Sequence, residues 1–191
     1  GKTMFSWFKD RRLRQRTADH IYDAVVAQAR QPRFFSHLGV PDTLEGRYEM
    51  VLVHLFLILD RLRDEGPTAQ AVSRKLNERF VTDMDDCMRE LGVGDITVPK
   101  RVKLAAAGLY DRVLEYQSAI SEPAPNALTN IIQSRVLTPE YSEPLSPAAS
   151  AIADYMRNCR TALADQPLQD IITGNANFAD VALIASDSAD P

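Results

Sequence analysis

Cysteine is nearly absent from this sequence: Cys87 and Cys159 are the only two among 191 residues. Two thiols so far apart give no disulfide framework, and with no recognisable secretory leader they predict reduced side chains in a cytoplasm-like compartment. Histidine is almost as scarce, with three residues, so a catalytic centre would have to rest on carboxylates or arginines. Long apolar runs are missing too. A bilayer span needs about 20 apolar residues, and the best candidate, Met50 to Leu59, is shorter and is interrupted by His54. No G-x-S-x-G occurs and neither cysteine has a histidine nearby in sequence, which removes the common nucleophile motifs. Gly92-Val93-Gly94-Asp95 holds two glycines but lacks the third glycine and the preceding strand of a dinucleotide fingerprint. It reads instead as a helix C-cap and a tight turn.

What is present is the make-up of a globular domain, 45% hydrophobic and 25% charged. A chain of this size buries roughly 70% of its open-chain surface on folding, enough for a core without metal or disulfide. The net charge of −4 is unevenly spread. Residues 1–16 hold Lys2, Lys9, Arg11, Arg12, Arg14 and Arg16 against Asp10, a local +5, which leaves −9 on the remaining 175 residues. The body therefore repels polyanions and only the amino end attracts them.

Prolines punctuate the chain, because each lacks an amide donor and disfavours helix at the preceding residue. Residues 42–66, 68–98 and 100–122 contain none, whereas 123–147 holds five of the eleven. Leu44, Tyr48, Val51, Leu55, Ile58 and Leu62 alternate spacings of four and three, one face of a helix. Asp42 and Glu45 make a capping-box-like start, and Gly66-Pro67 a stop. Leu52, Phe56 and Leu59 lie off that face, so this helix is apolar most of the way round and runs through the middle of the fold. Val102, Ala106, Leu109, Val113, Tyr116 and Ile120 repeat the spacing, with Pro99 in the first turn. Further helices are expected from Ala69 to Leu91, with a point of interruption at Phe80–Thr82, and around Ile21, Val25 and Ala29. Others follow at Leu128–Val136 and after Ser146-Pro147 through Ile152, Tyr155, Met156, Cys159 and Leu163. No period-two alternation occurs. The prediction is an all-α, single-domain helical bundle with a proline-broken segment and short frayed tails. Its parts are a basic, aromatic leader (1–16), a helical domain (17–184) and a flexible acidic tail (185–191).

Four features carry candidate chemistry. Asp83, Asp85, Asp86 and Glu90 form an acidic helix face such as metal-dependent all-α enzymes use, but Arg89 stands where the next carboxylate is expected and no second cluster exists. A solvated, salt-bridged face is the plainer account, and no metal or cofactor is assigned. Lys100, Arg101 and Lys103 crowd the first turn of a helix, where the macrodipole gives cations no benefit. They call for an anionic partner or for pairing with that acidic face. His54 sits in the most apolar helix, flanked at seven residues by Arg47 and Arg61, as a ligand or as a satisfied core histidine. Phe5, Trp7 and Phe8 beside Arg11, Arg12 and Arg14 suit an anionic membrane surface. RNA or a ribosome would attract the same charges, and a partnerless disordered leader is the bland alternative.

The run Leu38-Gly39-Val40-Pro41-Asp42-Thr43-Leu44-Glu45-Gly46-Arg47-Tyr48-Glu49, then His54-Leu55-Phe56-Leu57, then Leu91 to Asp95 before Lys100-Arg101-Val102-Lys103, resembles the ubiquinol-cytochrome c chaperone family. The likeness spans roughly residues 20–165 and is strongest for the alphaproteobacterial branch. It implies a non-enzymatic assembly factor that engages newly made cytochrome b and assists its incorporation into respiratory complex III. It also implies a small partner protein, and a cytoplasmic location with peripheral contact to the inner membrane. The matched blocks put client and partner contacts at Asp42, Arg47, His54, Arg61, Gly92, Gly94, Asp95, Lys100, Arg101 and Lys103. In this reading the helices at 42–65 and 98–120 floor a client groove, with Lys100, Arg101 and Lys103 on its rim.

Overall fold

Proline and capping side chains set most element boundaries in this chain. The structure is a computed structural model that describes residues 4–90, 92, 97–137 and 145–184, and these contain no strand. The chain is all-α: α1 (Met4–Ala29), α2 (Pro32–Ser36), α3 (Leu44–Leu62), α4 (Pro67–Glu90), α5 (Val98–Ser121), α6 (Ala127–Ile132), α7 (Pro147–Asp165) and α8 (Leu168–Ile172). A π-helical turn, Gln133–Leu137, continues α6, and a 3-10 turn spans Val181–Leu183.

The start of α7 follows expectation: Ser146 caps it by accepting from the Ala149 amide at 3.1 Å, with Pro147 in the first turn. The start of α3 differs. Its cap is Thr43, whose hydroxyl accepts from the Gly46 amide at 3.2 Å, while Asp42 turns to Arg47 at 2.9 Å. Gly46 is needed there, since a Cβ would lie 1.9 Å from the Pro41 carbonyl oxygen. The helix ends at Leu62, short of Glu65, because Asp64 and Gly66 take φ of +61° and +94°, a left-handed conformation that ends a right-handed helix. No break occurs in α4 at Phe80–Thr82, where Phe80 is buried and the Thr82 hydroxyl donates back to the Glu78 carbonyl at 3.0 Å. The expected helix near Ile21 extends back to Met4, so residues 4–16 form the first turns of α1, and burial on it begins at Thr17. The tail 185–191 lies outside the described residues.

The chain divides into two compact units. The first comprises Gly1–Ala24, Leu62–Asp111 and Pro167–Ala176. Its core includes Ala18, Ile21 and Tyr22 of α1 with Val72, Leu76 and Phe80 of α4. The Tyr22 hydroxyl donates to Asp83 at 2.6 Å, and the Arg79 guanidinium lies over the Tyr22 ring. Gly174, at φ +102°, comes so close to His20 that an added Cβ would meet its Cβ at 3.0 Å.

The second unit comprises Val25–Arg61, Arg112–Gln166 and Asn177–Pro191. Here α3 is buried on nearly every side from Met50 to Ile58, as its all-round apolar pattern predicts. Phe56 packs on Tyr116 with ring centres 5.5 Å apart, and α6 lies against α7. Residues 177–184 close over this core. Phe178 meets the His54 ring edge-on, the Ala179 amide donates to the Cys159 sulfur at 3.3 Å, and Arg33 donates to the Ile184 carbonyl at 2.8 Å. Neither cysteine is in a disulfide, and burial pushes the thiol of Cys159 up from its ordinary pKa.

Candidate functional site

The acidic face of α4 is a set of tethers. Asp83 accepts from Tyr22, Asp86 pairs with Arg89, and Asp85 takes the guanidinium of Arg101 at 2.7 Å. No group of three or more His, Cys, Asp or Glu side chains among the described residues is arranged to hold a metal. Arg101 is 4% exposed, and a charge so withdrawn from water requires the partner it has. The basic turn therefore splits. Arg101 is an interior anchor rather than a rim residue, whereas Lys100 and Lys103 remain exposed.

That anchor sets how α5 is turned. The sequence pattern points the apolar stripe beginning at Val102 and Ala106 inward, but both are exposed, and the buried stripe begins at Arg101 and Ala105 before reaching Leu109. In consequence Val102 and Tyr110 stand 38% and 65% exposed on one i,i+4 ridge with exposed Ala106 between them, and exposed Lys103 lies beside Tyr110 on the same side of the helix. Apolar side chains aligned in the open on one element mark an interaction surface.

His54 is wholly interior, which removes it from any contact surface. Burial lowers its pKa from 6.5 to about 4, only partly opposed by its bond to the Met50 carbonyl, so near neutral pH the ring is uncharged. A carbonyl can only accept, so Nδ1–H donates to Met50 O at 2.7 Å and Nε2 accepts from the Tyr155 hydroxyl at 2.8 Å. Gln28 completes the chain, donating to the Tyr155 oxygen at 2.9 Å and to the Ala179 carbonyl at 3.2 Å. This is a satisfied core histidine.

Arg61 is likewise structural, donating to the Leu163 and Gln166 carbonyls at 2.7 and 3.0 Å, where α7 ends. Asp42 and Arg47, paired with each other, line a surface recess with Arg30, Pro32, Phe35 and Ser36. Gly92 takes φ +72° and its amide bonds to the Arg89 carbonyl at 3.1 Å, the C-cap its sequence suggests. Gly94 and Asp95 lie outside the described residues. Phe5, Trp7, Phe8, Arg11, Arg12 and Arg14 are all exposed on the first turns of α1. Among the described residues no helix is long and apolar enough to cross a membrane.

Sequence reasoning missed the ion pair of Glu49 with Arg112, in which Arg112 Nε donates to the carboxylate at 3.0 Å. The one available signal was a lone acid leading into the most apolar stretch of α3.

The profile of a family described as Ubiquinol-cytochrome C chaperone matches residues 36–178. A crystal structure described as the Cbp3 homolog from Brucella abortus is similar over 96% of this chain and 100% of that one, with TM-score 0.85 and 32% identity. Ubiquinol-cytochrome c reductase complex assembly factor 1 of Mus musculus is 25% identical over 100 residues, 52% of this chain and 34% of the mouse protein. Its Homo sapiens counterpart is 24% identical over 100 residues, 33% of that protein. The matched stretch thus spans about one third of the mammalian relatives' length.

Proposed function

We propose, because the chain belongs to the ubiquinol-cytochrome C chaperone family, that it is an assembly chaperone of respiratory complex III that holds newly made cytochrome b. Such a client is a membrane protein with several spans, whose apolar helices must be shielded until they insert or pack. The observation that supports this reading is the open apolar ridge of α5, where Val102, Ala106 and Tyr110 face solvent inside the region matched by the family profile. Lys100 and Lys103 flank that surface and would attract acidic or carbonyl-rich client segments. By contrast, Leu44 is the only large apolar residue of α3 that stands exposed, so the client face falls to α5 alone. We assign the recess at Asp42 and Arg47 to a small partner protein, and the site of action to the cytoplasmic face of the inner membrane.

The test is photocrosslinking in native membranes from Val102 and Tyr110, with exposed Thr161 of α7 as the control position. Cytochrome b joined to the chaperone at the first two positions and not the third is the expected result. Cytochrome b captured only through other positions would remove the α5 assignment, and no capture at all would remove the client. Charge reversal at Lys100 and Lys103 together should weaken capture without unfolding the protein.

A further inference from the structure

The first turns of α1 have no fold beneath them. Every side chain from Met4 to Arg16 is exposed or half-buried, burial begins only at Thr17, and Phe5 stands 89% exposed. A helical stretch of this length gains little from its own hydrogen bonds in water and is ordinarily held by packing of an apolar face. Here the side chains that could pack are bulky and lie in the open, with Trp7 and Phe8 edge-on to each other, ring centres 5.0 Å apart, and Arg11 over the Trp7 ring. This segment needs a surface supplied from outside the chain.

Its chemistry selects which surface. Residues 4–16 carry Lys9, Arg11, Arg12, Arg14 and Arg16 against Asp10, a net +4, which opposes pairing with a second copy of the same helix. Phosphate groups match the cations, but nucleic acid would leave Met4, Phe5 and Leu13 in water. An anionic bilayer takes both kinds of side chain.

Apolar and cationic side chains interleave round α1: Phe5, Phe8 and Leu13 share a shallow groove with Lys9, Arg12 and Arg16, while Trp7 goes with Arg11 and Arg14. The rings can then sit at the acyl boundary while the arginine stems reach back to the headgroup phosphates.

We propose that residues 4–16 of α1 dock on an anionic bilayer, with Phe5, Trp7 and Phe8 at the acyl boundary and Arg11, Arg12 and Arg14 among the lipid phosphates. The inference is independent of the client assigned above, since it concerns lipid alone.

Trp7 is the chain's only tryptophan, so its emission reports directly. With the full chain and vesicles of phosphatidylcholine and phosphatidylglycerol, the emission should shift to the blue, and vesicles of phosphatidylcholine alone should leave it unchanged. Replacing three cations together (R11Q, R12Q, R14Q) should weaken partitioning by ~100-fold, with helix content by circular dichroism as the control for folding. Brominated lipids in the anionic vesicles should quench Trp7, and emission that they leave unquenched would overturn its place at the acyl boundary. No blue shift with anionic vesicles, or binding of a short duplex RNA in its place, would overturn the membrane assignment.

Discussion

Two helices with the same sequence rhythm meet opposite fates. Both α3 and α5 repeat apolar residues at alternating spacings of four and three, yet α3 is buried nearly all round, while the first half of α5 leaves Val98, Leu104 and Tyr110 in solvent. The difference lies in where each helix is tied. The one acid leading into the buried run of α3, Glu49, finds Arg112, and the remaining apolar surface is free to face inward. In α5, Arg101 is drawn to Asp85, and that bond turns Val102 and Ala106 outward. Periodicity tells which face of a helix is apolar; a charge-assisted tether can decide which face is inside.

Substitutions test this contrast in order of size. Phe56→Ala in α3 removes a wholly buried ring and should cost about 4 kcal/mol in denaturant unfolding. Arg101→Ala removes the nearer partner of the mostly buried Asp85 carboxylate, leaving it Arg89 at 3.5 Å, and should cost about 2 kcal/mol. If it cost no more than Lys100→Ala, the tether would not be what turns α5. The third test uses protons. The folded pKa of His54 lies near 4 against 6.5 in the free side chain, so the unfolded state binds a proton first as pH falls. The stability from keeping the ring neutral is complete above pH 6.5 and is lost as pH drops toward 4. Between pH 7.5 and 5 the loss should be about 2 kcal/mol, and a His54→Gln variant should lack that slope. Tyr116, in the second half of α5, buries a hydroxyl that finds no hydrogen-bond partner among the described residues, so Tyr116→Phe should stabilise by about 1 kcal/mol, read as a rise in Tm. Val102→Ala and Tyr110→Ala should each change stability by less than ~0.5 kcal/mol while weakening client capture. A large loss of stability from either would place them in the core and not on a docking face.

Local chemistry was legible in the sequence wherever a residue acts on its near neighbours. Ser146 and Pro147 open α7, Gly92 caps α4, and the acidic face of α4 is salt-bridged, as its mixed charges suggest. The start of α3 was misplaced by a residue because Asp42 and Thr43 are both good caps, and the difference lies in where each side chain turns, Thr43 to the Gly46 amide and Asp42 to Arg47. The short elements α2 and α8 and the 3-10 turn are too brief for any period to register. For Arg101 and His54 the structural roles, pairing with the acidic face and a satisfied core histidine, stood among the readings of the sequence, but the choice and the exact partners did not. Asp85 and Tyr155 are 16 and 101 residues away, and one sequence alone does not single them out. What reads as a functional residue on a helix wheel is then as easily the end of a structural bond.

The bonds around His54 also bear on how the protein is made. Gln28 from near the start of the chain, Tyr155 from α7 and Ala179 from the closing segment meet in one connected network. The second unit cannot complete that core until translation has passed residue 179 and carried the segment clear of the ribosome. Until then Phe34, His54 and Cys159 lack their cover, and a nascent form of this chain is itself in need of protection.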